Sequence, residues 1–204
     1  MKKYRILILG ASYGSLLGIK LALAGHDVDL VCLPKEVELI NKEGAIVRLP
    51  IRDKDKVIEL RSTDCPGSLR ALGPSDVDIS TYDLIALAMQ EPQYGADEIA
   101  ELLKEIGMSK KPCMSIMNMP PLPYIARIEG LDTSKLDGAY TKPDVWKYFD
   151  SNYMTLCSPD PQAFRPPDEN INVLQVGLPT NFKAARFESD QHTQILRDLQ
   201  IDIE

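Results

Sequence analysis

The first residues able to do chemistry stand where an apolar strand gives way to glycine. Ile6-Leu7-Ile8-Leu9 runs into Gly10-Ala11-Ser12-Tyr13-Gly14, and a helical pattern follows at once. A turn of this kind lets backbone N–H groups and the positive end of a helix face an anionic diphosphate. The usual spacing is Gly-x-Gly-x-x-Gly. Here only Ala11, Ser12 and Tyr13 separate Gly10 from Gly14, and no central glycine remains. The shortening removes one N–H or tilts the helix start, and the lost glycine places a Cβ where backbone must approach a ligand. Tyr13 is positioned to project into the phosphate space, while the hydroxyls of Ser12 and Ser15 are candidate phosphate donors. Two readings stay open. Either the turn holds a dinucleotide, or Gly10 only permits the tight turn and Gly14 only lets helix and strand pack closely.

A dinucleotide site also needs a partner for the adenosine ribose, ordinarily an acid about 20 residues beyond the turn. That place holds Cys32 and Leu33, with Lys35 nearby. Neither a carboxylate suited to NAD nor an arginine fork suited to the 2′-phosphate of NADP stands there. Lys35 offers a point charge without the fork and tips the expectation toward NADP. Asn118 closes an apolar strand, the place where open α/β sheets receive ligands. His26 falls in a helix-to-strand turn and reads as structural. Cys32, Cys65, Cys113 and Cys157 are scattered, form no C-x-x-C pair, and have only His26 and His192 for company. The expectation is neither a disulfide framework nor a zinc site but reduced thiols in the cytoplasm.

The elements that must position these residues alternate as βαβ units do. Strands are expected at 4–9, 28–33, 45–49, 57–60, 82–88 and 113–117, with helices at 14–24, 34–43 and 96–106. Leu16, Leu17, Leu21 and Leu23 give the first helix its apolar face, and Ile99, Leu102, Leu103 and Ile106 do so for the third. Residues 62–81 are turn-rich and receive no assignment. Met119-Pro120-Pro121-Leu122-Pro123 forbids an immediate regular helix. From about 132 to 172 the sequence reads as an irregular insertion, with Met154-Thr155-Leu156 and Val173-Leu174-Gln175-Val176 as strands of a small antiparallel extension. Tyr140 to Phe149, with Trp146, serve as packing or as a partner surface. A final helix from Glu188 carries Ile195, Leu196, Leu199 and Ile203 as its stripe. The fold class is therefore α/β, a doubly wound Rossmann-type parallel sheet with a small antiparallel extension. Residues 1–187 form the Rossmann-type domain and 188–204 a terminal helix.

Bulk properties bound the partners. The chain of 204 residues is long enough for a sizeable core. A net charge of -7 disfavours a nucleic-acid surface and an anionic membrane. No apolar stretch nears the ~20 residues that span a bilayer. The charged start Met1-Lys2-Lys3 precedes an apolar run that breaks at Gly10, so a first strand is read there and not a signal peptide.

The run Gly10 to Val31, GASYGSLLGIKLALAGHDVDLV, resembles the opening of the ketopantoate reductase (2-dehydropantoate 2-reductase) family. The likeness continues through EVELINKEG at Glu36 to Gly44, through Tyr82-Asp83-Leu84-Ile85, and at Ser115-Ile116-Met117-Asn118-Met119, where that family has a strand ending in Asn-Gly. It covers residues 1 to about 130. The resemblance implies NADP binding and reduction of an α-keto acid to a 2-hydroxy acid. It implies that Gly10 and Gly14 are the outer fingerprint glycines, and that Asn118 sits by nicotinamide and substrate. It places Gln90 and Gln93 where the family has a Lys and a Gln near the cofactor, and Leu33 where it has an arginine for the 2′-phosphate. The family's catalytic Lys and its acidic partner lie in a second, helical domain, and Lys183 is not at an equivalent place. The expectation is thus the nucleotide-binding half alone, linked through 188–204 to a helical domain or completed in a homo-oligomer. A non-catalytic Rossmann-like interaction or regulatory domain is the alternative.

Overall fold

Residues 2–51, 54–116, 119–156 and 187–199 are described by the structure, a computed structural model, except the side chains of 49–57. The chain divides into two compact units, 1–89 and 90–204. In the first unit β1 (Arg5–Leu9) leads into α1 (Ala11–Leu23), β2 (Asp27–Val31) and α2 (Pro34–Glu43). An antiparallel pair follows, β3 (Ile46–Ile51) and β4 (Lys54–Arg61), and then β5 (Ser68–Leu72) and β6 (Leu84–Leu87). The parallel strands lie side by side as β5-β2-β1-β6. By order of appearance that is 3-2-1-4, the winding of a dinucleotide-binding sheet. Ile6, Leu7, Ile8, Leu9, Val28, Leu30, Val31, Leu84, Ile85, Ala86 and Leu87 are buried. Strands covered on both faces need such near-continuous apolar runs.

The register sorts side chains into two faces. Ile8, Val28, Leu30 and Leu69 fall on the face that α1 covers. There a Cβ on Gly14 would stand 2.7 Å from Ile8 Cγ2, and one on Gly18 2.9 Å from Leu69 Cδ1. The helix lies so close that only glycine fits, which is the packing role read for Gly14. The expected face of Leu16, Leu17, Leu21 and Leu23 is corrected accordingly. Leu21 is buried with Gly14, Gly18, Ile19 and Ala22, Leu16 and Leu17 are half-buried, and Leu23 is exposed. Close approach selected a small-residue stripe over the leucines. The strand β5, unassigned from sequence, is an edge strand, and Asn41 of α2 caps its open side. The Asn41 amide donates to the Ala71 carbonyl at 2.9 Å and accepts from the Ala71 N–H at 2.8 Å.

The second unit contains α3 (Asp97–Ser109), β7 (Cys113–Ser115), α4 (Leu122–Ile125), β8 (Met154–Leu156) and α5 (Asp190–Asp198). Leu102, Leu103 and Ile106 bury the face expected of α3. Two expectations are corrected here. Met154-Thr155-Leu156 pairs with β7 in parallel, Cys113 opposite Met154, so the antiparallel extension is the β3–β4 pair instead. A single helical turn also forms directly at 122–125, because Pro123 occupies a first-turn position where its missing N–H has no acceptor to satisfy. Tyr140 and Trp146 are buried, the latter between Tyr94 and Phe149 with ring centroids 5.5 and 5.7 Å away. They serve as packing, and Tyr148 at their edge is exposed. The helix α5 buries Ile195 and Leu196 as its stripe predicts. Val173 to Val176, Lys183 and Ile203 lie outside the described residues. The fold class is the one read from the sequence, a doubly wound Rossmann-type parallel sheet with a small antiparallel extension. Among the described residues no helix is long and apolar enough to cross a membrane.

Candidate functional site

In the first unit the strand order reverses between β1 and β6, and ligands of open α/β sheets bind beyond the carboxyl ends of strands at such a point. Gly10 stands there. Its φ of 106° belongs to the region that glycine enters without cost. A Cβ would lie 2.9 Å from both the Ala88 carbonyl oxygen and Met89 Cγ, so the end of β6 closes tightly over it. The Gly10 N–H donates to the Val31 carbonyl at 2.9 Å, which ties the turn to the end of β2.

The helix was expected from Gly14 and begins at Ala11. With no central glycine, Ala11, Ser12 and Tyr13 have no reason to leave the helical region, so they form its first turn. The phosphate-facing loop is replaced by a bare helix N-terminus. No side chain caps it and no acid stands in its first turn. The amides of Ala11, Ser12 and Tyr13 have no intrahelical acceptor, because the first intrahelical bond is the one the cap residue Gly10 accepts from the Gly14 N–H. A diphosphate suits that end, where unsatisfied donors and the positive end of the helix dipole coincide. Tyr13 is 53% exposed and takes no part in the buried core. The Ser15 hydroxyl donates to the Ala11 carbonyl within the helix and is no phosphate donor as it stands. Ser12 is exposed and makes no such bond.

At the end of β2, Cys32 is buried and Leu33 is 70% exposed. Burial pushes the Cys32 thiol up to about 11, with the nearby Glu36 carboxylate adding to the rise, so it is an inert small hydrophobe. Lys35 lies exposed on the first turn of α2. Sequence reasoning passed over Glu36. The Leu33 N–H donates to Glu36 Oε2 at 3.1 Å, and the Glu36 N–H donates to the Leu33 carbonyl at 2.9 Å. The signal was present, since an acid three residues past a helix start folds back on the cap.

The second unit carries the other candidates. Gln90 and Gln93 form a reciprocal cap on the short helical segment Glu91–Gly95. The Gln90 N–H donates to Gln93 Oε1 at 2.8 Å and the Gln93 N–H to the Gln90 carbonyl at 3.0 Å. Asn118 lies outside the described residues. Glu91 is buried and accepts from the Thr141 N–H and hydroxyl at 2.9 and 2.8 Å. Burial, with Glu91 nearby, pushes the Tyr140 phenol up to about 12, and its hydroxyl donates to the Pro120 carbonyl at 2.6 Å.

On the sheet face away from α1, a charged group unforeseen in the sequence is buried. Asp29 is 3% exposed. It accepts from Arg70 Nε at 2.5 Å and Nη2 at 3.1 Å, from Arg5 Nη2 at 2.9 Å, and from the Tyr82 hydroxyl at 2.7 Å. Burial raises its pKa, but the bonds from Arg70, Tyr82 and Arg5 outweigh that and hold the carboxyl below its usual range. Four segments are tied by one carboxylate. His26 is buried as expected of a structural residue, with Nδ1 accepting from the Tyr4 N–H at 3.3 Å.

No protein-family model matches the chain, and no curated protein matches it by sequence. Its fold is similar to that of a protein from Ralstonia solanacearum MolK2 assigned as a ketopantoate reductase, with TM-score 0.56 and 17% identity over 98% of this chain and 58% of that one. A protein from Enterococcus faecalis assigned as a 2-dehydropantoate 2-reductase gives TM-score 0.44 and 20% identity over 84% of this chain and 46% of that one. The chain thus spans about half the length of these solved proteins. The likeness stated for its sequence is found in its fold.

Proposed function

We propose that this chain is the nucleotide-binding part of a ketopantoate-reductase-like oxidoreductase, binding a nicotinamide dinucleotide beyond the ends of β1, β2 and β6. The observation that carries this reading is the uncapped N-terminus of α1 at the switch point of a 3-2-1-4 sheet. The amides of Ala11, Ser12 and Tyr13 receive the diphosphate, Gly10 lets the chain turn beneath it, and exposed Leu33 offers apolar surface to the adenosine. A bound dinucleotide supplies hydride for reduction of an α-keto acid to a 2-hydroxy acid. For the nicotinamide and keto-acid end the resemblance brings Asn118, Gln90 and Gln93 as candidates. NADP, with Lys35 beside its 2′-phosphate, is what the resemblance brings. The proton donor comes from a helical domain or from a second copy of the chain. A cytoplasmic location, with neither nucleic acid nor membrane as partner, agrees with the charge of -7.

Calorimetric titration with NADH, NADPH, ADP-ribose and AMP tests the reading. Binding of a dinucleotide tighter than about millimolar, with AMP weaker, supports it. Silence for every dinucleotide favours a non-catalytic domain that kept the sheet and lost the ligand. The tight closure of Ala88 and Met89 over Gly10 is the feature that favours that second reading.

A further inference from the structure

We infer that Glu36 is the ribose-recognising acid of this chain and that it selects NAD over NADP. The inference rests on the dinucleotide reading above and reverses the cofactor that the resemblance implies. A dinucleotide laid across a parallel sheet puts its diphosphate at the first helix and its adenosine ribose at the end of the second strand. Both places are joined here by the hydrogen bond from the Gly10 N–H to the Val31 carbonyl. Leu33 follows Val31 by two residues, a reach of about 7 Å in extended chain. Its N–H is where the Glu36 carboxylate docks. The acid missing from the strand end in sequence is therefore returned to it by the first turn of α2.

The carboxylate is fixed and still has capacity. Oε2 accepts one bond, and Oε1 accepts none among the described residues. A carboxylate has about four lone-pair sites in all, enough for two ribose hydroxyls besides the cap. A 2′-phosphate, by contrast, would meet a held negative charge. Lys35 does not cancel that charge. It is exposed, forms no ion pair among the described residues, and ends in a mobile point charge without a bidentate fork. The Glu36 side chain is held by its cap, so it spends less freedom on binding a ligand than Lys35 does.

The test compares the full chain with Glu36→Gln and Lys35→Met, titrated calorimetrically with NADH, NADPH, ADP-ribose and 2′-phospho-ADP-ribose. Glutamine still accepts from the Leu33 N–H, so Glu36→Gln keeps the cap and loses only the charge. Equal melting temperatures for variant and parent check this. The expected result is at least tenfold tighter binding of NADH than of NADPH, and of ADP-ribose than of its 2′-phosphate. Glu36→Gln shrinks that ratio to threefold or less, chiefly by gaining the phosphorylated ligands, whereas Lys35→Met does not shrink it. Equal or tighter binding of NADPH by the parent, or an unchanged ratio in Glu36→Gln, overturns the inference while the dinucleotide reading stands. Failure of all four ligands to bind removes the reading and the inference together.

Discussion

Asp29 and Glu36 are carboxylates seven residues apart on one strand-helix unit, and the fold treats them in opposite ways. Asp29 sits mid-strand under Arg5, Arg70 and Tyr82, with every oxygen engaged and almost no access to water. Glu36 lies exposed beyond the strand end with, among the described residues, one bond and an open oxygen. A buried charge has to be fully paired or it destabilises the fold. A charge meant for a ligand has to stay short of partners. The same chemistry thus serves cohesion in the sheet and recognition at its carboxyl edge.

Removing each carboxylate should separate the two roles. Asp29→Ala leaves two guanidinium groups and a phenol facing an empty acceptor position, and should cost about 3 kcal/mol in urea unfolding. Glu36→Gln should change stability by less than about 0.5 kcal/mol, since its cap survives. A cost near zero for Asp29→Ala would show that water replaces the carboxylate and that the contrast is only apparent.

Acid titration sharpens the contrast further. Burial holds the His26 imidazole below its ordinary 6.5, a shift that Asp27 opposes and Lys3 assists. As pH falls the unfolded chain takes up that proton first, so His26 contributes fully above pH 6.5 and progressively less below it. Asp29 is held below its ordinary 3.8, so its contribution persists above that value and disappears only as pH falls further. Unfolding free energy followed from pH 8 to pH 2 should therefore decline in two stages. His26→Gln should shrink the first stage to the share of His192, which burial also holds below 6.5, and Asp29→Asn should shrink the second to the share of the other hydrogen-bonded carboxylates such as Asp27.

The residues explain which parts of this were legible in the sequence. Strands β1, β2 and β6 are largely apolar runs that stand out from their surroundings, and Gly44 marks the end of α2 plainly, whereas α1 begins three residues ahead of its expected start at Gly14. Strand β5, Ser-Leu-Arg-Ala-Leu, is an edge strand with polar residues on one face, and its pattern merges with the turns around it. Without β5, Arg70 had no position, and Asp29 looked like an interruption when it is the centre of a cluster. Pairing direction at β8 was equally hidden, because three residues carry no signal for parallel or antiparallel. At the candidate site Gly10 and Gly14 were legible as positions but not as conformation. Their loop reads as loop only by analogy, while Ala11-Ser12-Tyr13 is helical by propensity once the central glycine is gone. Glu36 stands three residues past the strand-end position where a ribose acid is ordinarily found, and its carboxylate reaches that position only by folding back from the first turn of α2.

The smallest expected effect concerns the two serines of that first turn. Both are spaced to offer a hydroxyl to phosphate, yet the Ser15 hydroxyl donates to the Ala11 carbonyl one turn back and lies along the helix. A serine bonded in this way adds little to a helix and often weakens it slightly, and alanine is the better helix former. Ser15→Ala should therefore leave dinucleotide affinity within twofold and stability unchanged or raised by about 0.5 kcal/mol. Ser12→Ala, which removes an exposed hydroxyl beside the open amides, should weaken binding several-fold at constant stability. Calorimetry on both variants reads the difference directly. A tenfold loss in Ser15→Ala would mean that its hydroxyl leaves Ala11 for the phosphate. The first turn of α1 would then rearrange into a true loop on binding, and the bare helix end would be the resting form of the site.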